Sequence, residues 1–182
     1  MTWPSYVTLQ FELVNKFTTE ESNYYGPFIT LLTELFPASE DYQVALQFKH
    51  VVGHVSTVPT PHVITRHGLP VVFIEFKPQV AYDKDLVCKE VDDQMHERFL
   101  NFTGSIPIPM FYGLSVLGTR FCIYKYSVAN RSVTPPCIPP SDNFIVNVAP
   151  KERWDFDLLE VDRKARLKEL VAHIKAMVAA LQ

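Results

Sequence analysis

The stretch LPVVFIEFKPQ, residues 69–79, contains an apolar run followed by two residues of opposite charge. Its apolar run Val71–Ile74 predicts a β-strand covered on both faces. Glu75 and Lys77 end the run, and because successive side chains of a strand alternate between faces, these two share one face while Phe76 points to the other. This arrangement indicates either an ion pair at a sheet surface or a site that uses both charges.

The composition is that of a globular protein. With 182 residues, 47% of them hydrophobic and 20% charged, the chain is predicted to form one domain over 1–182. Its apolar stretches are shorter than the roughly 18 residues of a membrane span, and its first residues lack a signal-peptide layout. We therefore expect an intracellular protein, cytoplasmic or nuclear, with no membrane partner. The sequence does not indicate an oligomeric state.

The cysteines and the net charge limit the kinds of metal site and binding partner that the sequence predicts. Three cysteines without CxxC or Cys/His spacing predict reduced thiols and neither a disulfide framework nor a zinc site. A net charge of -3 does not favour nonspecific binding to a polyanion. A nucleic-acid partner would therefore need a local basic groove.

The periodicity predicts an α/β (α+β) domain. Apolar residues at helical spacing indicate helices, and alternating or aromatic and β-branched runs indicate strands. The predicted elements are a helix over about 27–36, strands over 42–52, 61–65 and 71–77, a helix over about 83–102, strands over 110–118 and 119–128, a further short strand over 144–150, and a helix over 154–182. This order predicts helices around one sheet.

Residues 127–182 are predicted to be a C-terminal extension with a proline-rich loop and a long helix. One stripe of this helix is apolar and predicts a buried face, formed by Leu167, Leu170, Val171, Ile174, Val178 and Leu181. The opposite face is basic, with Arg163, Lys164, Arg166, Lys168 and Lys175. Because acids interleave with these cations, a solvated face is favoured over a phosphate-binding one.

The order of elements around Glu75 and Lys77 resembles that of a known superfamily. A helix, a three-strand meander whose third strand ends in Glu-x-Lys, a helix and a further strand are similar to the PD-(D/E)XK, or restriction-endonuclease-like, nucleases over about 20–126. The resemblance implies a restriction-endonuclease-like mixed central sheet flanked by helices, here with an extra C-terminal helix. It also implies metal-dependent hydrolysis of phosphodiester bonds, with Mg²⁺ or Mn²⁺ as cofactor and nucleic acid as partner.

The resemblance assigns roles to individual residues. Glu75 and the backbone carbonyl of Phe76 would bind the ion, since Mg²⁺ prefers oxygen ligands. Lys77 would orient the attacking water or stabilise negative charge in the transition state. Gln94 matches a glutamine in the following helix that points back at the site, although it also fits a solvent-facing helix position.

The sequence departs from the family pattern at the acid expected before Glu75. Pro61 is followed by His62 instead of aspartate. A neutral imidazole is a poor Mg²⁺ ligand and suits Mn²⁺, Fe or Zn²⁺ better, so His62 is a candidate for lining the site. One candidate for the missing acid is Asp41, or its neighbour Glu40, before the Tyr42 strand, if the meander of the resemblance is aligned one strand earlier.

An acid from the first helix is the other candidate for the missing ligand. Glu34 is the first choice on that helix, and Glu21 competes for the same role.

Two functions remain open at this point. The first is a metal-dependent nuclease. The second is a catalytically degenerate nuclease-fold module that binds protein or nucleic acid without turnover, which the histidine at position 62 favours. A third possibility is a small interaction protein in which Glu75 and Lys77 form an ordinary ion pair.

Overall fold

A computed structural model describes residues 3–45, 61–138 and 151–181 as helices on both sides of one sheet. The four helices of these residues are α1 (Ser5–Glu12), α2 (Tyr25–Leu35), α3 (Asp85–Phe102) and α4 (Val161–Ala179). The strands are β1 (Tyr42–Ala45), β2 (His62–Arg66), β3 (Leu69–Lys77), β4 (Met110–Leu117), β5 (Arg120–Ser127), β6 (Ser132–Thr134) and β7 (Phe156–Asp157). Short 3-10 helices include Glu21–Tyr24, just before α2, and Lys151–Trp154, just before β7.

The sheet is mixed and mostly antiparallel. Its strands lie in the order β1-β2-β3-β4-β5-β6, and β7 pairs with β5 beside β6. Only β3 and β4 are parallel among the described pairs. A parallel pair needs a long crossover, and α3 supplies it. The end of β3 therefore lies in the interior of the sheet, between β2 and β4.

The two faces of β3 pack against different helices. Phe73 lies on the α3 face, with its ring centroid 4.9 Å from that of Phe99 and 5.4 Å from that of Phe102. Phe76 lies on the other face, where its ring centroid is 4.7 Å from that of Phe28 in α2. The sheet is thus covered by α3 on one side and by α2 on the other.

Helices α1 and α4 complete the α2 side. The Phe11 ring in α1 meets the Phe28 ring edge-on at 4.9 Å. Leu167 in α4 lines a small apolar void together with Phe28 and Ile74. The C-terminal helix therefore packs on the sheet of its own chain. In the described residues no helix has the length and apolar character to cross a lipid bilayer.

The predicted elements are confirmed where the structure describes them. Helices and strands lie within a few residues of the predicted bounds, except that α4 begins seven residues after the start of the helix predicted over 154–182, and β7 lies in that interval. The apolar stripe of α4 is buried except for Leu181, which follows the helix. Helix α1 and the short strands β6 and β7 were missed, because each is too short to show a period. The predicted strand over 144–150 and the second half of the one over 42–52 lie outside the described residues.

The basic residues of α4 pack onto aromatic rings of the same chain. Lys164 Nζ lies 4.4 Å from the centre of the Trp3 ring, and the Arg166 guanidinium lies 3.7 Å from the centre of the Phe156 ring. Lys175 pairs with Glu40 at 2.6 Å. These cations stabilise the packing of α4 through cation–π contacts and an ion pair. Lys164 is buried, so it does not belong to the solvated face that the sequence favoured.

Candidate active site at the end of the third strand

The alternation of side chains in β3 is as predicted. Glu75 is paired in register with Ser115 of β4 and follows Phe73 by two residues, so it faces α3. Phe76 faces α2. Glu75 is buried, with 8% of its surface exposed, so its carboxylate has lost most of its water.

Arg98 of α3 is the charge partner of Glu75. Its Nε donates a hydrogen bond to Glu75 Oε1, and the Arg98 side chain is itself buried. A buried carboxylate needs such compensation, because leaving it unpaired costs several kcal/mol. Arg98 therefore provides a cation at the carboxylate that was expected to bind metal.

Glu21 is the charge partner of Lys77. Lys77 Nζ donates to Glu21 Oε1 at 2.5 Å, although 56 residues separate them in the chain. Glu21 begins the 3-10 helix that leads into α2, and the hydroxyl of Tyr25, the first residue of α2, also donates to it. Glu21 and Glu34 were the two candidate acids from this helical segment, and the fold brings Glu21 to the end of β3.

These five residues, Glu21, Tyr25, Glu75, Lys77 and Arg98, are called the β3-end cluster below. Burial raises the pKa of Glu75 above its ordinary value, and the nearby charges of Arg98 and Lys77 oppose that increase. Burial also raises the pKa of Tyr25, and the negative charges of Glu21 and Glu75 add to it. The charge of Glu21 therefore raises the pKa of Glu75 as well as that of Tyr25.

The cluster is balanced in charge, with two carboxylates and two cations. Chemically, the carboxylates are ligands that suit a hard divalent ion, and the ammonium suits a phosphate oxygen. For Glu75 and Glu21 to bind such an ion, each would share its oxygens with the cation that it already contacts. The arrangement therefore permits metal binding and also provides protein cations that can replace the metal.

His62 lies on the opposite face of the sheet from Glu75 and borders the β3-end cluster through Tyr25. It pairs in register with Ile74, and its ring centroid lies 4.6 Å from that of Tyr25 and 4.8 Å from that of Phe76. Its Nε2 atom is buried and has no hydrogen-bond partner in the described part of the chain. The imidazole therefore packs against the aromatic rings of Tyr25 and Phe76.

The position of His62 predicts that stability falls in mild acid. Burial lowers the pKa of His62 below its ordinary value of 6.5, with the Glu21 charge opposing. The unfolded chain then binds a proton that the folded chain resists, so the free energy of unfolding decreases as the pH falls from about 7.5 to about 5.5. Urea unfolding at both pH values should show a smaller decrease for His62→Leu than for the unmodified chain.

The control for this experiment is the exposed turn residue His67, which has φ 51°. His67→Asn removes an exposed histidine without straining the backbone, because asparagine tolerates a positive φ. This variant should therefore keep the full pH dependence. An equal decrease in His62→Leu and in the unmodified chain would rule out the buried imidazole as its cause.

The structure does not bring Asp41 to Glu75. Tyr42 pairs with Arg66 and Arg66 pairs with Leu69, so Asp41 lies beside the first residue of β3. Glu75 is six residues further along that strand, about 20 Å away at about 3.3 Å per residue. Asp41 therefore lies apart from the β3-end cluster, and its role as a metal ligand stays a prediction. Its neighbour Glu40 pairs with Lys175 of α4.

Glu34 is also remote from the cluster, whereas Glu21 belongs to it, so metal binding by Glu34 stays a prediction. The Tyr6 hydroxyl donates to Glu34 Oε2 at 2.6 Å, and Glu34 lines a surface pocket with Lys164 and Lys168. It follows Tyr25 by nine residues, which is about 13 Å along the helix axis. The two acids therefore lie at opposite ends of the same helical segment.

Gln94 is half-buried and lies one turn before Arg98 on α3. Its catalytic role stays a prediction, as does metal binding by the Phe76 carbonyl. Arg98 was missed, but its signal is present in the sequence: it continues the row formed by Val87, Val91 and Gln94 beside the apolar stripe. An arginine on the row that faces the strand end is a candidate partner for an acid there.

Comparison of the chain with models of protein families, with curated proteins and with solved structures gave no match. The function is therefore inferred from the cluster and from the order of the elements around it.

Proposed function

We propose that this protein is a metal-dependent nuclease that hydrolyses phosphodiester bonds of nucleic acid at the β3-end cluster. The observation that carries this proposal is the contact between Glu21 and Lys77, 2.5 Å across 56 residues of chain. Because Lys77 follows Glu75 on the same strand face, this contact joins two carboxylates and an ammonium at one strand end. Such a set suits a divalent ion and a phosphate together.

The order of elements supports a restriction-endonuclease-like core. Helix α2, the antiparallel meander β1–β3, helix α3 and the parallel strand β4 follow one another as the resemblance implies. The acidic residue Glu21 comes from the first helical segment of that core. Glu21 takes the place of the aspartate that the superfamily pattern has where this chain has His62.

Each residue has a role in the proposed hydrolysis. Glu75, Glu21 and the Phe76 carbonyl would hold Mg²⁺ or Mn²⁺. The bound ion supplies Lewis acidity and a more acidic water. Lys77 donates hydrogen bonds to a phosphate oxygen, on which negative charge grows as the water oxygen bonds to phosphorus and the bond to the leaving sugar oxygen breaks.

A second candidate function is binding without turnover, and the pair of Glu75 with Arg98 favours it. Arg98 places a positive charge beside the carboxylate that the ion would need. In this candidate the guanidinium replaces the metal permanently, and the fold presents a surface for nucleic acid or protein. The two candidates differ in whether Glu75 binds a divalent ion.

A cleavage assay tests the first candidate. The protein is incubated with labelled single- and double-stranded DNA and RNA in Mg²⁺ or in Mn²⁺. We expect cleavage by the unmodified chain and a loss of at least about 100-fold in Glu75→Gln, Glu21→Gln and Lys77→Met, because the first two substitutions remove a ligand of the metal ion and the third removes the positive charge at the reacting phosphate. Glu34→Gln is the matched control and should retain activity, since Glu34 is an acid on α2 that contacts Tyr6 instead.

The outcomes separate the candidates. Absence of cleavage by a folded, unmodified chain with both ions contradicts the nuclease. Electron paramagnetic resonance of Mn²⁺ then tests the second candidate, which requires that the unmodified chain leaves Mn²⁺ free while Arg98→Gln binds it. Cleavage that persists in all three cluster variants would show that the reaction takes place elsewhere.

A further inference from the structure

Three potential metal ligands meet on the α3 side of the sheet, outside the β3-end cluster. Asp92 and His96 are one turn apart on α3, and Cys137 lies in the segment that follows β6. A carboxylate oxygen of Asp92, an imidazole nitrogen of His96 and the Cys137 thiol sulfur all lie within 4.8 Å of one another. Residues on one helix and a distant loop thus point their ligand atoms at a common centre.

Asp92 is held in position by three donors from other elements. It is fully buried. The Tyr124 hydroxyl donates to its Oδ1 at 2.7 Å, Arg153 Nη1 also donates to Oδ1, and the Ile138 backbone N–H donates to Oδ2 at 3.3 Å. Oδ2 accepts one of these bonds, so the carboxylate keeps capacity for another partner. A ligand fixed by hydrogen bonds in this way is prepared for a metal ion.

His96 has an imidazole nitrogen without a hydrogen-bond partner among the described residues. Its Nε2 atom is buried and makes no hydrogen bond to the described residues. The nearest oxygen of Asp92 is 3.9 Å away, beyond hydrogen-bond distance. A buried nitrogen without a partner is costly unless something binds it. A metal ion between His96 and Asp92 would satisfy it.

Cys137 differs from the other two cysteines in its exposure. Cys88 and Cys122 are buried, whereas Cys137 is exposed and its sulfur lies 3.5 Å from Asp93 Oδ1. An ion can therefore reach the thiol from solvent. Asp93 is also next to the centre, where it pairs with Lys89.

We propose that Asp92, His96 and Cys137 form a binding site for Zn²⁺ that ties the segment after β6 to α3. A thiolate, an imidazole and a carboxylate are the ligand types that Zn²⁺ takes, with a water or Asp93 in the fourth position. Mg²⁺ would not choose this set, because it prefers oxygen ligands only. The ligands of this site therefore differ from those of the β3-end cluster, which offers only oxygen atoms to a metal ion. The proposed site does not depend on the proposed nuclease activity.

The charges near the site are compatible with a divalent cation. Asp92 and Asp93 are negative, and Arg153 and Lys89 balance them. Binding of the ion releases the proton of the Cys137 thiol to solvent, so a charge of two enters as one proton leaves. The site gains one positive charge, and its open side faces solvent, which screens that charge.

Titration with Co²⁺ tests the site through its spectrum. A thiolate bound to Co²⁺ gives a sulfur-to-metal charge-transfer band in the near ultraviolet, which carboxylates and imidazoles do not give. We expect this band in the unmodified chain and its disappearance when Zn²⁺ is added. Cys137→Ser should remove the band, and His96→Ala should weaken the affinity for Zn²⁺ by at least about 10-fold.

Control variants keep the result specific. His67→Asn, which changes an exposed histidine in a turn, and Glu75→Gln, which changes the β3-end cluster, should both retain the band. Absence of the band in the unmodified chain, or its persistence in Cys137→Ser, would overturn the proposal. Circular dichroism of each variant shows whether it is folded.

Discussion

Replacing Arg98 with methionine is expected to lower the free energy of unfolding at pH 7 by about 3–5 kcal/mol. The substitution keeps the apolar stem of the side chain but leaves Glu75 as a buried carboxylate without its guanidinium partner. Urea unfolding followed by circular dichroism measures the change. The loss should shrink as the pH falls towards about 4.5, because Glu75, whose pKa burial already raises, then becomes neutral in the folded state.

A second substitution isolates the pair. Glu75→Leu combined with Arg98→Met replaces both charges by apolar groups and should recover most of the loss, as happens when a buried ion pair is exchanged for apolar side chains. The control is Lys89→Met, which breaks an ion pair with the exposed Asp93 on the same helix and should cost no more than about 0.5 kcal/mol. If Arg98→Met cost no more than this control, Glu75 would be solvated instead of buried.

Replacing Trp154 with alanine is expected to cost about 3–5 kcal/mol of unfolding free energy. Trp154 is fully buried although it lies in a 3-10 helix of four residues, and its Nε1 donates to Ser115 Oγ at 3.0 Å. Removal of the indole leaves a cavity on the α3 face of the sheet beside β4. It also frees the short segment that carries Arg153 to Asp92.

Two further variants separate packing from hydrogen bonding. Ser115→Ala keeps the indole but leaves its N–H without an acceptor, so it should cost about 1–3 kcal/mol. Glu152→Ala changes an exposed residue of the same 3-10 helix and should stay within about 0.5 kcal/mol. A cost below about 1 kcal/mol for Trp154→Ala would mean that this segment does not pack on the sheet in solution.

The central elements could be predicted because their signals are local. The apolar stripe of α3, which includes Val91, Met95 and Phe99, shows in any window of a few turns, and these residues are buried. The short strands β6 and β7 could not be predicted, because they exist only through pairing with β5. Both strands are stabilised by their hydrogen bonds to β5. A turn joins β6 to β5, whereas β7 is distant from β5 in the sequence.

The candidate site was predictable in part. Glu75 and Lys77 share one face because alternation is a property of the strand itself. The positions of Asp41 and Glu34 away from Glu75 could not be predicted, because sequence spacing does not show which end of a strand or helix lies near Glu75. The proximity of Asp92, His96 and Cys137 could not be predicted for the same reason, since no Cys/His spacing marks residues drawn from a helix and a remote loop.

The sequence by itself determined where the helices and strands lie and which side chains of β3 share a face. Only the tertiary structure decided which charges meet: Lys77 with Glu21 across 56 residues, and Glu75 with Arg98 across 23. The physical reason is that periodicity depends on neighbours within one turn or one strand. A charge pair depends on a distance through space, and strand order and the packing of α2 and α3 on opposite faces set that distance.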